Sequence, residues 1–202
     1  MPRLVLASNN AGKLREFSAL LADLAIEVRA QRELGIPDAV ESGQSFVENA
    51  LLKARHAARL SGLPALADDS GIEVDHLRGA PGIYSARFAG AEASDEANNR
   101  LLLQRLAGVT DAERTARYHC VLVLMRHAQD PTPLICQASW EGRVLSAPRG
   151  LGGFGYDPLF WVPDLGQSAA ELDPALKNRI SHRGQAMARL RAELAAGWPL
   201  GN

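Results

Sequence analysis

The stretch Arg3-Leu4-Val5-Leu6-Ala7-Ser8-Asn9-Asn10-Ala11-Gly12-Lys13-Leu14 changes character halfway along. Arg3 to Ala7 is a short apolar run that reads as a strand, whereas Leu14, Phe17, Leu20, Leu21 and Leu24 recur at the spacing of a helix. Ser8 to Lys13 is therefore the turn between them and sits at a helix N-terminus. Unpaired backbone N–H groups and the helix dipole favour an anion there, and Lys13 adds an ammonium group. The turn is not a Walker loop, because GxxxxGK[ST] would need glycine where Ala7 stands and a hydroxyl where Leu14 stands. Alone, it fits a phosphate cradle or an ordinary strand-to-helix connection.

Moving outward, Ser45-x-x-Glu48 has the form of a capping box. The helix it opens carries Phe46, Leu51, Leu52, Ala54 and Ala58 and stops at Ser61-Gly62. A strand from Pro64 to Ala67 runs into Asp68-Asp69-Ser70-Gly71. Tyr118 to Met125 and Leu134 to Val144 are long β-rich runs joined by the turn-like Gln129-Asp130-Pro131-Thr132-Pro133. A glycine-dense segment, Arg149 to Pro158, precedes an apolar strand through Phe160 and Trp161, and a last helix runs from about Arg183 to Ala196. This order predicts an α/β fold with a mixed sheet, taken as a single domain over residues 1–202.

The 22 Lys+Arg against 23 Asp+Glu give a formal charge of -1, so no global field gathers the chain onto nucleic acid or an anionic membrane. Any anion site must be local. No stretch approaches the roughly 18 apolar residues of a membrane span, and the N-terminal apolar run is too short for a signal peptide. A cytoplasmic protein is expected. Cys120 and Cys136 lie in apolar surroundings without CxxC spacing and read as buried structural thiols.

Asp68 and Asp69 stand at a strand end, where open α/β sheets present their site residues. Side chains alternate along a strand, so the two carboxylates divide the work, Asp69 in the site and Asp68 bonding to the loop backbone. Plain turn chemistry also explains an Asp-Asp-Ser-Gly run. Hard oxygen ligands suit Mg²⁺ better than zinc, and Glu41 is a candidate second ligand. His56, His76, His119 and His127 lack metal-site spacing. Gly150 to Gly155 imitates GxGxxG but lacks the strand before and helix after it. Its Phe154, Tyr156 and Asp157 suit stacking on a base, or a tight loop with Phe154 filling the core. Ser181-His182-Arg183-Gly184, with Lys177 nearby, offers donors to a carbonyl or phosphate, or is a capped helix end.

Taken in order, Ser8 to Lys13, Phe46 to Ala50, Ala67 to Gly71, Gly79 to Arg87, Gly153 to Pro158 and Ser181 to Gly184 resemble the inosine/xanthosine triphosphate pyrophosphatase family, over about residues 3–195. The resemblance implies an elongated mixed sheet with helices in two lobes around an active cleft, a homodimer, and Mg²⁺-dependent release of pyrophosphate from ITP, dITP or XTP. It assigns the triphosphate to Ser8, Asn9, Asn10, Ala11, Gly12 and Lys13, with Lys53 as helper. Asp69 becomes general base and metal ligand, with Glu41 as second metal residue. Nucleotide and base fall to Ser70, Phe154, Gly155, Tyr156, Asp157, Lys177, His182 and Arg183. Lys177, His182 and Arg183 would donate to the 6-oxo group of hypoxanthine or xanthine, where adenine presents a donor instead. Two competing readings are a pyrophosphatase for another modified nucleotide and a nucleotide-binding protein without turnover.

Overall fold

Helix formation is most completely specified around Ser45. In the computed structural model, which describes residues 3–21, 26–197 and 199, the Glu48 N–H donates to Ser45 Oγ at 3.3 Å and the Glu48 carboxylate accepts the Gln44 N–H at 2.9 Å. Ser45 thus caps a helix at Phe46–Ser61 as expected, although the Glu48 carboxylate reaches back to the Gln44 N–H and the Ser45 hydroxyl rather than completing a capping box. Gly62, at φ 68°, closes the helix by donating its N–H to Ala58 O. Ala50, Ala54, Ala57 and Ala58 form its buried face, so its backbone packs closely on the sheet.

The strands are β1 (Arg3–Leu6), β2 (Glu27–Ala30), β3 (Ala65–Val74), β4 (Thr115–Met125), β5 (Leu134–Val144), β6 (Phe160–Val162) and β7 (Gln167–Ser168). The helices are α1 (Ala11–Leu21), α2 (Phe46–Ser61), α3 (Asp95–Arg105), α4 (Pro174–Ile180) and α5 (His182–Ala195). One mixed sheet has the order β2-β1-β3-β4-β5-β6-β7, with β1 parallel to both β2 and β3, and β6 antiparallel to β5 and β7. The expected α/β class with a mixed sheet and flanking helices is what forms. Of the helical positions expected after the first turn, Leu24 and the side chain of Leu20 lie outside the described residues.

The chain groups into two compact units. The first contains 1–69, 120–138 and 183–202. There the sheet is covered on both faces: Leu4, Leu6, Leu66 and Leu122 pack against Phe17 and Leu21 of α1 and Met187 and Leu190 of α5. Val5, Ala7, Ala65, Ala67 and Val123 pack on the opposite side against α2. Cys120 and Cys136 are buried free thiols, as expected.

The second unit contains 70–119 and 139–182. Its core gathers Ile72, Val74, Leu102, Tyr118, Trp140, Tyr156, Leu159 and Phe160. Tyr118 lies 4.6 Å from Phe160 between ring centroids, and Trp140 lies 5.0 Å from Phe160. No helix among the described residues is long and apolar enough to cross a membrane.

Two features depart from the sequence reading. The strand expected to stop at Ala67 continues through Asp68-Asp69-Ser70-Gly71 to Val74, because the two carboxylates find cationic partners and need not turn out to solvent. Helix α3 gives no periodic signal, since only Asn98 and Leu102 of it are buried. Replacing Ser45 by Ala should lower the unfolding free energy by about 1 kcal/mol in urea titrations with the helical content of the native protein unchanged.

Candidate active site

The turn after β1 is held by its own side chains. Asn10 acts as N-cap of α1, its Oδ1 accepting the Lys13 N–H at 3.0 Å, while the Asn10 N–H donates to Ser8 Oγ at 3.2 Å. Asn9 donates to Asp38 Oδ1 at 2.8 Å, and Gln31 donates to the same oxygen at 2.6 Å. These bonds orient the first turn of α1 with its N–H groups at the helix end and Lys13 one turn in.

Strand alternation then divides the aspartates. Leu66 belongs to the face covered by α1 and α5, so Asp68, two residues on, points the same way. It forms ion pairs with Lys13 of α1 and, at 3.3 Å, with Arg183 of α5, and it accepts a bond from the Cys120 thiol at 3.2 Å. Arg183 also pairs with Glu16. Burial pushes the Asp68 carboxyl up, but Lys13, Arg183 and Lys53 outweigh it and hold the group far below the ordinary aspartate range. The expected role of Asp68, bonding to loop backbone, is replaced by an ion-pair hub, because a continuing strand satisfies its own backbone and leaves the side chain to the two helices.

Ala65 and Ala67 belong to the face covered by α2, and Asp69 follows them. Lys53 of α2 reaches Asp69 Oδ1 at 2.6 Å and Glu41 Oε1 at 2.9 Å. The other oxygen, Asp69 Oδ2, is buried and has no hydrogen-bond partner among the described residues. Burial lifts the Asp69 carboxyl above its ordinary value, opposed first by Lys53 and then by Lys13. Lys53 stays charged despite burial because Asp69, Glu41 and Asp68 surround it.

The second unit organises the glycine segment. Asp157 accepts from Lys177 Nζ at 2.6 Å, from the Phe154 N–H at 2.8 Å and from Tyr118 Oη at 3.4 Å. A Cβ on Gly153, which has φ 74°, would collide with Asp157 Oδ2, so this position requires glycine twice over. Tyr156 is buried and donates to Ser85 O at 2.7 Å. Phe154 is only half-buried, with Lys177 Nζ 5.2 Å from its ring centroid. His182 stacks on Tyr118 at 4.6 Å with 8° between the planes. Ser70, the residue after Asp69, is half-buried at the start of this unit.

Among the sequence-expected residues, the structure groups Ser8 to Lys13, Glu41, Lys53 and Asp69 in the first unit, and Ser70, Phe154 to Asp157, Lys177 and His182 in the second. Arg183 joins the first group, through Asp68 and Glu16, rather than the base-side donors with which its sequence neighbourhood placed it. Glu16 and Tyr118 lie outside the motifs, while Asp68 and Ser85 lie inside them but were not read as an ion-pair hub and as the anchor of Tyr156. Only Asp68 carried a signal, the alternation of adjacent strand residues.

A family model described as the Ham1 family matches residues 4–193. The chain is 56% identical over 190 residues to a protein from Vibrio cholerae serotype O1 named dITP/XTP pyrophosphatase, covering 94% of this chain and 95% of that one. It is 56% identical over 197 residues to a protein of the same name from Escherichia coli O157:H7, covering 98% and 100%. The solved structure of a HAM1 protein from Coxiella burnetii matches with a TM-score of 0.91 at 50% identity, covering 98% of this chain and 100% of that one. The Staphylococcus aureus Ham1 protein matches at 0.86 with 39% identity, covering 97% and 100%. Likeness at this level runs from β1 into α5 and takes in every motif described above: the chain belongs to the Ham1 family.

Proposed function

We propose that this chain hydrolyses non-standard purine nucleoside triphosphates (ITP, dITP and XTP) to the monophosphate and pyrophosphate, clearing deaminated purines from nucleotide pools. The names of its relatives support the substrate class. The observation that carries the reading is Asp69, a buried carboxylate with one oxygen fixed by Lys53 and the other without a hydrogen-bond partner among the described residues.

The charges of the first unit argue for a cation as well. Lys13, Lys53 and Arg183 face Glu16, Glu41, Asp68 and Asp69, so a polyphosphate would enter a set already richer in carboxylates than in cations. Oxygen-only donors, with the partnerless Asp69 Oδ2 among them, fit a hard divalent ion and favour Mg²⁺. No group of three or more His, Cys, Asp or Glu that could hold a metal occurs among the described residues. Asp69 and Glu41 would therefore hold the ion together with phosphate oxygens, as is usual for Mg²⁺. When bound, it supplies positive charge to the phosphates as they separate.

The chain's own groups divide the remaining work. Lys13 and the first-turn N–H groups of α1 neutralise the leaving pyrophosphate. Asp69 orients the attacking water and takes its proton, and the burial that raises its proton affinity suits that role. Lys53 fixes the orientation of Asp69, while Asp68, itself held by Arg183, anchors Lys13. On the base side, Phe154 offers a ring face, and Lys177 and His182 supply donors for a 6-oxo group. Discrimination against adenine then rests on those donors, which would lose their acceptor.

Asp69→Asn should lower kcat on ITP by about 10²-fold or more while calorimetry still detects ITP binding. Unchanged turnover would remove Asp69 from the mechanism. Chelation with EDTA should abolish pyrophosphate release and excess Mg²⁺ should restore it; orthophosphate as first product would contradict the assignment. The family resemblance also carries a homodimer, for which light scattering should return twice the chain mass.

A further inference from the structure

Helix α3 buries little apolar surface, yet its first turns are rich in polar side chains directed at the protein. Asn98 accepts the Ala89 N–H at 2.8 Å and donates to Ala86 O at 3.2 Å, which fastens the helix to the segment before it. Asp95, the first residue after the Ser94 N-cap, accepts the Gly155 N–H at 2.6 Å. Asn99, one turn later on the same side of the helix, donates from Nδ2 to Gly155 O at 2.9 Å. Both backbone polar groups of a single glycine are thus held by two side chains at i and i+4.

The grip has a specific target. Gly155 has φ 63°, a conformation glycine enters and leaves freely, so nothing intrinsic keeps the peptide units beside it in place. On one side stands half-buried Phe154, and on the other Tyr156, pinned to Ser85 O. Asp157 already holds Phe154 at one end of this span, accepting its N–H at 2.8 Å and donating to its carbonyl at 3.3 Å, and the α3 contacts add the restraint on the Gly155 peptide that sets the Phe154 ring against Lys177 Nζ. The orientation of the Asn99 amide is set by the Gly155 carbonyl, which can only accept.

We infer that Asp95 and Asn99 are positioning residues for base recognition: α3 clamps the Gly155 peptide so that Phe154 and Lys177 meet the purine base in a fixed geometry. This rests on the reading that Phe154 faces the base. Both act through the Gly155 backbone to which they bond. The clamp acts by pre-paying the ordering of the loop, so its loss weakens substrate binding while leaving the chemical step intact.

Steady-state kinetics on ITP with Mg²⁺ tests this in the full-length protein. Asp95→Ala and Asn99→Ala should each raise KM by about tenfold with kcat changed less than about threefold. Asp95→Asn, which keeps an acceptor oxygen for the Gly155 N–H, should restore most of the lost affinity. Asn99→Asp, which sets a carboxylate against the Gly155 carbonyl, should raise KM at least as far as Asn99→Ala. Phe154→Ala separates the two levels of the argument. If it leaves KM unchanged, the base-facing reading fails and takes the clamp with it. If Phe154→Ala raises KM while the Asp95 and Asn99 variants match wild type, the reading stands and the clamp is overturned. A fall in kcat with KM unchanged, or a loss in Asp95→Asn equal to that in Asp95→Ala, would also overturn it.

Discussion

Two adjacent carboxylates on a strand buried on both faces are the constraint around which the first unit is arranged. A buried carboxylate without a cation costs several kcal/mol, so each aspartate requires its own partner. Because neighbouring strand residues point to opposite faces, those partners must come from different helical layers. Asp68 takes Lys13 from α1 and Arg183 from α5, whereas Asp69 takes Lys53 from α2. The fold therefore needs helices on both sides of β3, each bringing a cation to the same level of the strand.

The same alternation separates scaffold from chemistry. Asp68 has its oxygens committed to Lys13, Arg183 and the Cys120 thiol, an arrangement that keeps it ionised and inert. Asp69 keeps one oxygen without a partner among the described residues and a proton affinity raised by burial, the properties the proposed reaction needs. In the second unit Asp157 resembles Asp68 rather than Asp69. It accepts from Lys177, Phe154 and Tyr118, and so shapes the loop that carries Phe154. Two of the four boundaries between the units fall within the motifs, between Asp69 and Ser70 and between His182 and Arg183.

Much of this was legible in the sequence where one local rule dominated. The Ser45 cap, the Gly62 stop and the strand-turn-helix over Arg3 to Leu21 follow from short-range chemistry, and the structure has them at the expected places within a residue or two. The six motifs led to the family because all of them occur together and in order between Ser8 and Gly184, although each has a plain structural explanation alone. What the sequence hid depends on partners distant in the chain. Asp-Asp-Ser-Gly reads as a turn until Lys13, Lys53 and Arg183 supply the charge that lets β3 continue. Arg183 sits beside His182 in sequence but is drawn to Asp68, 115 residues away. Helix α3 escaped notice because it is held by polar side chains rather than an apolar stripe.

The division of labour within one dipeptide is tested most directly by comparing the unfolding free energies of Asp68→Asn and Asp69→Asn in metal-free protein. Neutralising Asp68 strips both Lys13 and Arg183 of a buried partner, and should cost about 3 kcal/mol or more. Neutralising Asp69 removes a carboxylate already penalised by burial and leaves Lys53 paired with Glu41, so it should cost less than about 1 kcal/mol. Equal losses, or a greater loss at Asp69, would contradict the account, because the two aspartates would then share one structural task.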